Sequence, residues 1–379
     1  MPEKTFEEQI LPVRNEIDRI DKQLLPLFLQ RMQCTEKVAE IKRAAGQPIL
    51  NTAREQVILD RVKAEAGGEY GESAAALYRS IMAISRARQH AMLNTGAELR
   101  ALEQNSPRAL MENPRVLCQG VPGAFSHTAA KQLFPAAEPQ FLPTFSEVFE
   151  AVKNGDADYG VVPVENSDAG SVVEVYDLIL RHRMYIVLAG DVAIRQCLCR
   201  AKGTGKVTRA ISKQEALMQC TGYLEANGIK AESYSNTAAA ARDVAARREE
   251  GLGAICSADA AEAYGLEIVA ENIQNTAGNT TRFAVIAREA VLPDDAEKIS
   301  LCFSLPNVTG SLAQTLEEFV MAGLNLTKIE SRPIPERSFE YDFYLDFLGN
   351  LHDPKTLALI CSLSEEVPRF SFLGNYREV

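Results

Sequence analysis

Residues 279–283 read Asn-Thr-Thr-Arg-Phe and run straight into Ala-Val-Ile-Ala at 284–287. The apolar run from Phe283 to Ala287 reads as a buried strand. Two hydroxyls, an amide and a guanidinium gather at its mouth, which is where α/β proteins hold ligands. A solvated loop entering a strand would look the same locally. Working outward, short apolar runs at 116–118, 159–164, 185–188, 207–212 and 253–256 alternate with helical patterns, the signature of an α/β unit.

Upstream lies a different texture. Ile17, Ile20, Leu24, Phe28, Val38 and Ile41 make a 3.6-residue stripe over residues 11–45. A helix of that extent is about 50 Å long, too long for one small domain to cover, so it is expected to pair with a second chain. Pro26 should kink it, and Gly46-Gln-Pro48 should end it. Helices are expected at 52–66, stopping at Gly67-Gly68, and at 72–93. Downstream, strand 299–305, helix 310–322, strands 324–330 and 340–348, helix 354–365 and strand 370–373 give a βαββαβ, ferredoxin-like order. The expected division is a helical domain 1–94, a linker 95–113, an α/β domain 114–288, a second charged linker, and an α+β domain 298–376.

The chain has 379 residues, 46% hydrophobic and 24% charged, a composition able to bury real cores. Its formal net charge of −11 argues against nucleic acid or an anionic membrane as partner. No basic leader followed by an apolar run opens the chain, and no stretch has the apolar length of a bilayer span, so a cytoplasmic location is expected. The eight cysteines are scattered, with a lone C-x-C at Cys197 and Cys199, and are expected to be reduced. The four histidines make no metal-ligand spacing, and no metal or organic cofactor is expected.

Three clusters carry chemistry. Steps of three and four place Arg14 and Arg31 on the apolar stripe of the first helix, with Lys42 beyond Val38. Arg54-Glu55 opens the next helix, and Ser85 and Gln89 are neighbours at i,i+4 on the third. Cations on an apolar face either snorkel or bridge to acids, or they line a pocket for a small dianion. Arg14, Arg31, Lys42, Asn51, Arg54, Glu55, Ser85 and Gln89 resemble the motif of the all-helical chorismate mutase family. Asn51 stands where that family usually has Asp, so altered affinity rather than loss is expected. The resemblance implies that Arg14, Arg31 and Arg54 clamp carboxylates with help from Ser85. Lys42 and Gln89 face the ether oxygen as the catalytic pair, and Glu55 and Asn51 hold the ring hydroxyl. In that family Arg14 reaches into the partner chain's site.

The second cluster begins with Gly-Val-Pro-Gly-Ala-Phe-Ser at 120–126, a glycine turn between a strand and a helix start, where backbone N–H groups can receive an anion. Val-Pro-Val-Glu-Asn-Ser at 162–167 ends another strand in a polar turn; a capping turn is the alternative. With Gln219-Cys220, Ala-Tyr-Gly-Leu (263–266), Asn-Ile-Gln-Asn (272–275) and Asn-Thr-Thr-Arg-Phe (279–283), these motifs resemble the prephenate dehydratase family over residues 115–287. Where that family commonly has Ser-His-Pro-Gln, this chain has Ser212-Lys213-Gln214-Glu215. The resemblance implies two α/β lobes around a cleft, similar to periplasmic binding proteins. It implies Thr281 as the donor to the leaving hydroxyl. Glu165, Asn166, Ser212 and Gln219 would bind or orient prephenate, and Arg282 is a candidate for its carboxylate.

The third cluster is a helix start at Gly310, Ser311 and Leu312 and a strand end at Glu330, Ser331 and Arg332, which scaffold duty alone would explain. Both also resemble the signature motifs of the ACT regulatory domain, which implies phenylalanine binding between paired domains. As a whole the chain resembles a bifunctional chorismate mutase–prephenate dehydratase that acts as a homodimer or higher homo-oligomer. The alternatives are a dehydratase using arogenate and a non-catalytic phenylalanine or prephenate sensor.

Overall fold

The structure, a computed structural model, describes residues 5–379 except 335, 336, 338 and 339. The first helix, Phe6–Ala44, is capped by a reciprocal box between Thr5 and Glu8 and continues through Pro12 and Pro26. The next helical run, Thr52–Leu93, is broken at Gly67, whose φ of 75° no helix accepts. The break folds the run back on itself, so that Leu59 packs with Ala75 and Met82. Three helical arms result, as the stripe and the glycine pair predict.

The α/β unit is built on two sheets. The first has the order Gln140–Leu142, Val116–Gln119, Tyr159–Asn166, Thr280–Ala287, Tyr185–Ala193, with the short strand Gly170–Ser171 beside Tyr159–Asn166. The second has the order Glu267–Ala270, Cys197–Arg200, Leu252–Cys256, Arg209–Ser212, Lys230–Ser233. The chain crosses between them twice, and the crossings are tied together. Ile194 donates its N–H to the Asn279 carbonyl and Ile273 to the Gln196 carbonyl. Gln274 accepts from the Gln196 N–H at 3.0 Å. The Asn-Ile-Gln-Asn motif is therefore the strap between lobes. The lobes also touch at Gly123, where φ is +82° and a Cβ would stand 2.5 Å from the Ala260 Cα.

The C-terminal sheet has the order Asn325–Pro333, Tyr341–Leu348, Lys298–Ser304, Arg369–Tyr376, all neighbours antiparallel, which is the ferredoxin-like arrangement. One face packs on its own helices, Ser311–Ala322 and Pro354–Glu366. The other face sends Cys302, Tyr344, Leu373 and Tyr376 into the core of the first α/β lobe. The two stretches expected as linkers are anchored, because Leu99 of the helix Ala97–Asn105 and Leu292 are buried in the C-terminal core. The mutase-like helices lie against the outer side of the two C-terminal helices, with Arg86 and His90 meeting Glu366.

Candidate functional sites

In the helical unit a cavity of about 330 Å³ is lined by Arg31, Lys42, Asn51, Arg54, Glu55, Ser85 and Gln89. Seven of the eight residues singled out there thus converge. Arg31 donates to the Ser85 hydroxyl at 2.5 Å, and Lys42 donates to the Ile49 carbonyl. Asn51 is the N-cap of its helix, its side-chain oxygen accepting from the Arg54 N–H at 2.9 Å. Its amide N–H groups remain available to a ligand. Gln89 is buried; its amide donates to the Ser85 carbonyl, and its side-chain oxygen has no partner among the described residues. Burial pulls the Lys42 ammonium below its ordinary value, with Glu55 and Glu366 acting in the opposite direction. Arg14 is elsewhere. It is 57% exposed and pairs with Glu7, about 26 Å along the helix from Arg31 at roughly 1.5 Å per residue.

In the α/β unit the strand begins at Thr280 rather than Phe283. The sequence suggested a loop; pairing on both sides extends the strand and makes its side chains alternate between faces. Thr281 stands opposite Asn166, and Arg282 opposite Glu165. On the first face the Asn166 amide donates to Thr281 Oγ1 at 2.8 Å and to Asn279 Oδ1 at 2.7 Å. Asn166 Oδ1 is held by the N–H groups of Asp168 and Ala169. Thr281, only 8% exposed, therefore accepts from Asn166 and keeps its own proton for another acceptor. Gly120 and Asn166 stand at or just past the carboxyl ends of the parallel strands of this sheet, beside the Thr281 end of the antiparallel strand.

The second face differs from expectation. Arg282 pairs with Asp191 at 2.9 Å and Glu378 at 3.1 Å, and Glu165 lies 3.5 Å from Lys328 of the C-terminal sheet. Both side chains leave the Thr281 face and join the α/β lobe to the C-terminal unit. Ser212 is fully buried and donates to the Ile255 carbonyl at 2.6 Å, so its hydroxyl proton is used inside the second lobe. Gln219 is half-buried, its carbonyl accepting from the Asn275 N–H.

The C-terminal motifs also separate. Gly310, Ser311 and Leu312 line a cavity of about 460 Å³ with Leu305, Tyr341 and Phe343. Ser331 pairs in register with Phe343, on that face. Alternation turns Glu330 and Arg332 to the other face. There Glu330 accepts from the Ser171 hydroxyl at 2.5 Å and from Arg332 at 2.8 Å. Arg332 stacks over Tyr176 and Tyr344. Glu330 and the Gly310 cavity, whose motifs together imply a site between paired domains, therefore lie on opposite faces within one chain. Arg86 lines the first cavity and was missed by sequence reasoning, and Asn279, noted as an amide at the strand mouth, was given no role. Asn279 stood inside the quoted motif; Arg86 gave no signal beyond following Ser85.

Two family models match the chain: chorismate mutase type II over residues 13–90 and prephenate dehydratase over residues 116–291. A protein of Aquifex aeolicus called bifunctional chorismate mutase/prephenate dehydratase is 32% identical, covering 97% of this chain and 98% of its own. Arogenate dehydratase 2 of Petunia hybrida is 38% identical over 69% of this chain and 71% of its own. Among solved structures, the prephenate dehydratase of Arthrobacter aurescens in complex with L-Phe is 28% identical, with a TM-score of 0.63 over 69% of this chain and 89% of that one. A quorum-quenching acylase, GqqA, is 29% identical with a TM-score of 0.64 over 70% and 98%. The chain belongs to the family of bifunctional chorismate mutase/prephenate dehydratases.

Proposed function

We propose that the family's two activities run at two separate sites of this chain, the cavity at Arg31 and the Asn166–Thr281 face. Chorismate rearranges to prephenate in one pericyclic step, which needs folding of a flexible dicarboxylate and stabilisation of charge on the ether oxygen. Arg31 and Arg54 hold carboxylates with Ser85, Lys42 and Gln89 face the ether oxygen, and Asn51 and Glu55 receive the ring hydroxyl. Buried Gln89 supports this reading: one of its two amide N–H groups is taken by the Ser85 carbonyl and the other can donate to the ether oxygen, while its oxygen, without a partner among the described residues, calls for a donor from a ligand. Arg14 completes the site of a second copy of the chain. Its distance from Arg31 and the exposure of Ile17, Leu24 and Leu27 on the same helix support a dimer.

At the second site prephenate loses its ring hydroxyl and its ring carboxylate. The C–CO2 bonding electrons enter the ring, which becomes aromatic, and the hydroxyl leaves as water with one added proton. Thr281 donates to that departing oxygen, with Asn166 fixing its orientation. A hydroxyl is a weak acid, so its contribution is a placed hydrogen bond. The relatives named arogenate dehydratases favour a second reading, in which arogenate is also accepted. Prephenate is preferred here because a mutase pocket that makes it sits on the same chain. Phenylalanine is proposed to bind at the Gly310 hollow and restrain the dehydratase, and the cytoplasm is the proposed location. The test is product analysis: chorismate alone should yield phenylpyruvate. Accumulation of prephenate, with turnover only of added arogenate, would overturn the assignment of the second site.

A further inference from the structure

Arg86 follows Ser85 on the wall of the mutase pocket and is 9% exposed. Its guanidinium is shared by carboxylates from three different helical segments. It donates to Glu55 at 2.7 Å and to both oxygens of Glu366 at 2.8 and 3.0 Å, and it stands 3.7 Å from Glu318. His90 braces the same cluster, 2.9 Å from Glu366 and 2.7 Å from the Thr95 hydroxyl. Glu55 belongs to the pocket. Glu318 and Glu366 belong to the two helices of the C-terminal unit.

We propose that Arg86 is a positioning residue of the mutase, fixing the Glu55 carboxylate in the pocket while Glu318 and Glu366 of the docked C-terminal unit fix Arg86. This rests on reading the pocket as the mutase site. A carboxylate facing a doubly negative substrate repels it unless a cation answers its charge. Arg86 supplies that cation and, through its planar fork, one orientation of Glu55. A buried guanidinium this close to three acids has no freedom to swing, so its geometry is set by whichever acids are ionised.

Glu318 is the variable member. Burial first, then the Glu366 carboxylate, push its carboxyl up to about 7, with Arg86 opposing and Glu55 adding to the rise. Below that pH Glu318 is neutral, and Arg86 answers Glu55 and Glu366 alone. Above it a third charge competes for Arg86 and adds negative potential beside the pocket. The KM for chorismate should therefore rise as the pH passes that value, while the kcat changes little.

The test is steady-state mutase kinetics of the full chain on both sides of neutral pH. Dehydration of supplied prephenate is the control. Arg86→Met should raise the mutase KM by about tenfold or more, the scale of a lost charge-assisted hydrogen bond. Arg86→Lys should recover part of that loss, and the dehydratase should be unchanged in both. Glu318→Gln should fold, keep the low-pH KM and flatten its rise. A KM for Arg86→Met within twofold of wild type would overturn the proposal, as would parallel loss of both activities. If Arg86→Met does not fold, a pH rise retained in Glu318→Gln overturns it instead. A wild-type chain without mutase turnover would sink the reading of the pocket, which is a different failure.

Discussion

At the scale of single residues, the decisive feature is that neighbours in the Thr281-Arg282 pair do opposite work. Thr281 faces Asn166, and Arg282 faces Asp191 and Glu378. Thr281→Val keeps the shape and removes the donor. The dehydratase kcat should fall roughly 100- to 1000-fold, the usual cost of a lost transition-state donor, with mutase turnover of chorismate unchanged. Arg282→Gln should instead lower the melting temperature, because it leaves Asp191 without its cation and Glu378 with Lys298 alone. Its dehydratase kcat should stay within a few-fold of wild type; a collapse comparable to that of Thr281→Val would return Arg282 to the substrate. The residue types were legible in Asn-Thr-Thr-Arg-Phe. Which of them share the Asn166 face was not, because the motif reads as a loop until its partners on both sides make it a strand.

At the scale of elements, the first helix is both the clearest sequence signal and the least covered part of the structure. Ile17, Leu24 and Leu27 are exposed in the single chain, and burial of such side chains stabilises by about 1.5–3 kcal/mol each. A second copy is their expected cover. Mixing Arg14→Ala chains with Arg31→Ala chains should then regenerate one intact mutase site per heterodimer, about half the wild-type activity in a two-fold assembly. Verified heterodimers with no recovery would mean that each pocket is complete within its own chain. The glycine break at Gly67 and the βαββαβ order were readable because each rests on local chemistry. The strands Cys197–Arg200 and Lys230–Ser233 were missed, because Cys-Leu-Cys-Arg has no β-branched or aromatic residue and Lys-Ala-Glu-Ser is mostly polar and exposed throughout.

At the scale of the whole molecule, the C-terminal sheet is a hub. One face rests on the dehydratase lobe through Lys328, Glu330 and Arg332. Its helices carry the Gly310 hollow at one end and the Arg86 cluster on their outer side. If phenylalanine occupies the hollow, Ala313→Leu, which projects into it, should shift the inhibitor concentration at least tenfold, about 1.4 kcal/mol. Uninhibited dehydratase turnover should persist. This change is a cleaner probe than any substitution of Gly310, whose φ of +88° would strain a side chain regardless of ligand. Dehydratase rates measured against phenylalanine decide the matter; an indifferent wild-type enzyme would leave the C-terminal unit as a docking module.

The sequence by itself determined the three kinds of unit, their order and the residue types gathered at each candidate site. Those properties follow from periodicity, glycine positions and residue types within short windows. Helical spacing showed that Ser85 and Gln89 share a face, whereas the gathering of Arg31, Asn51 and Gln89 from three helical arms was legible only through the resemblance to the mutase motif. Only the tertiary structure decided which way Glu165, Arg282, Glu330 and Arg332 point. Each sits on a strand whose two faces are chemically different only because another unit packs on one of them. The same holds for Arg86. Nothing within its own helix announces Glu318 and Glu366, more than two hundred residues away, and a buried ion cluster exists only once the helices that supply its charges have met.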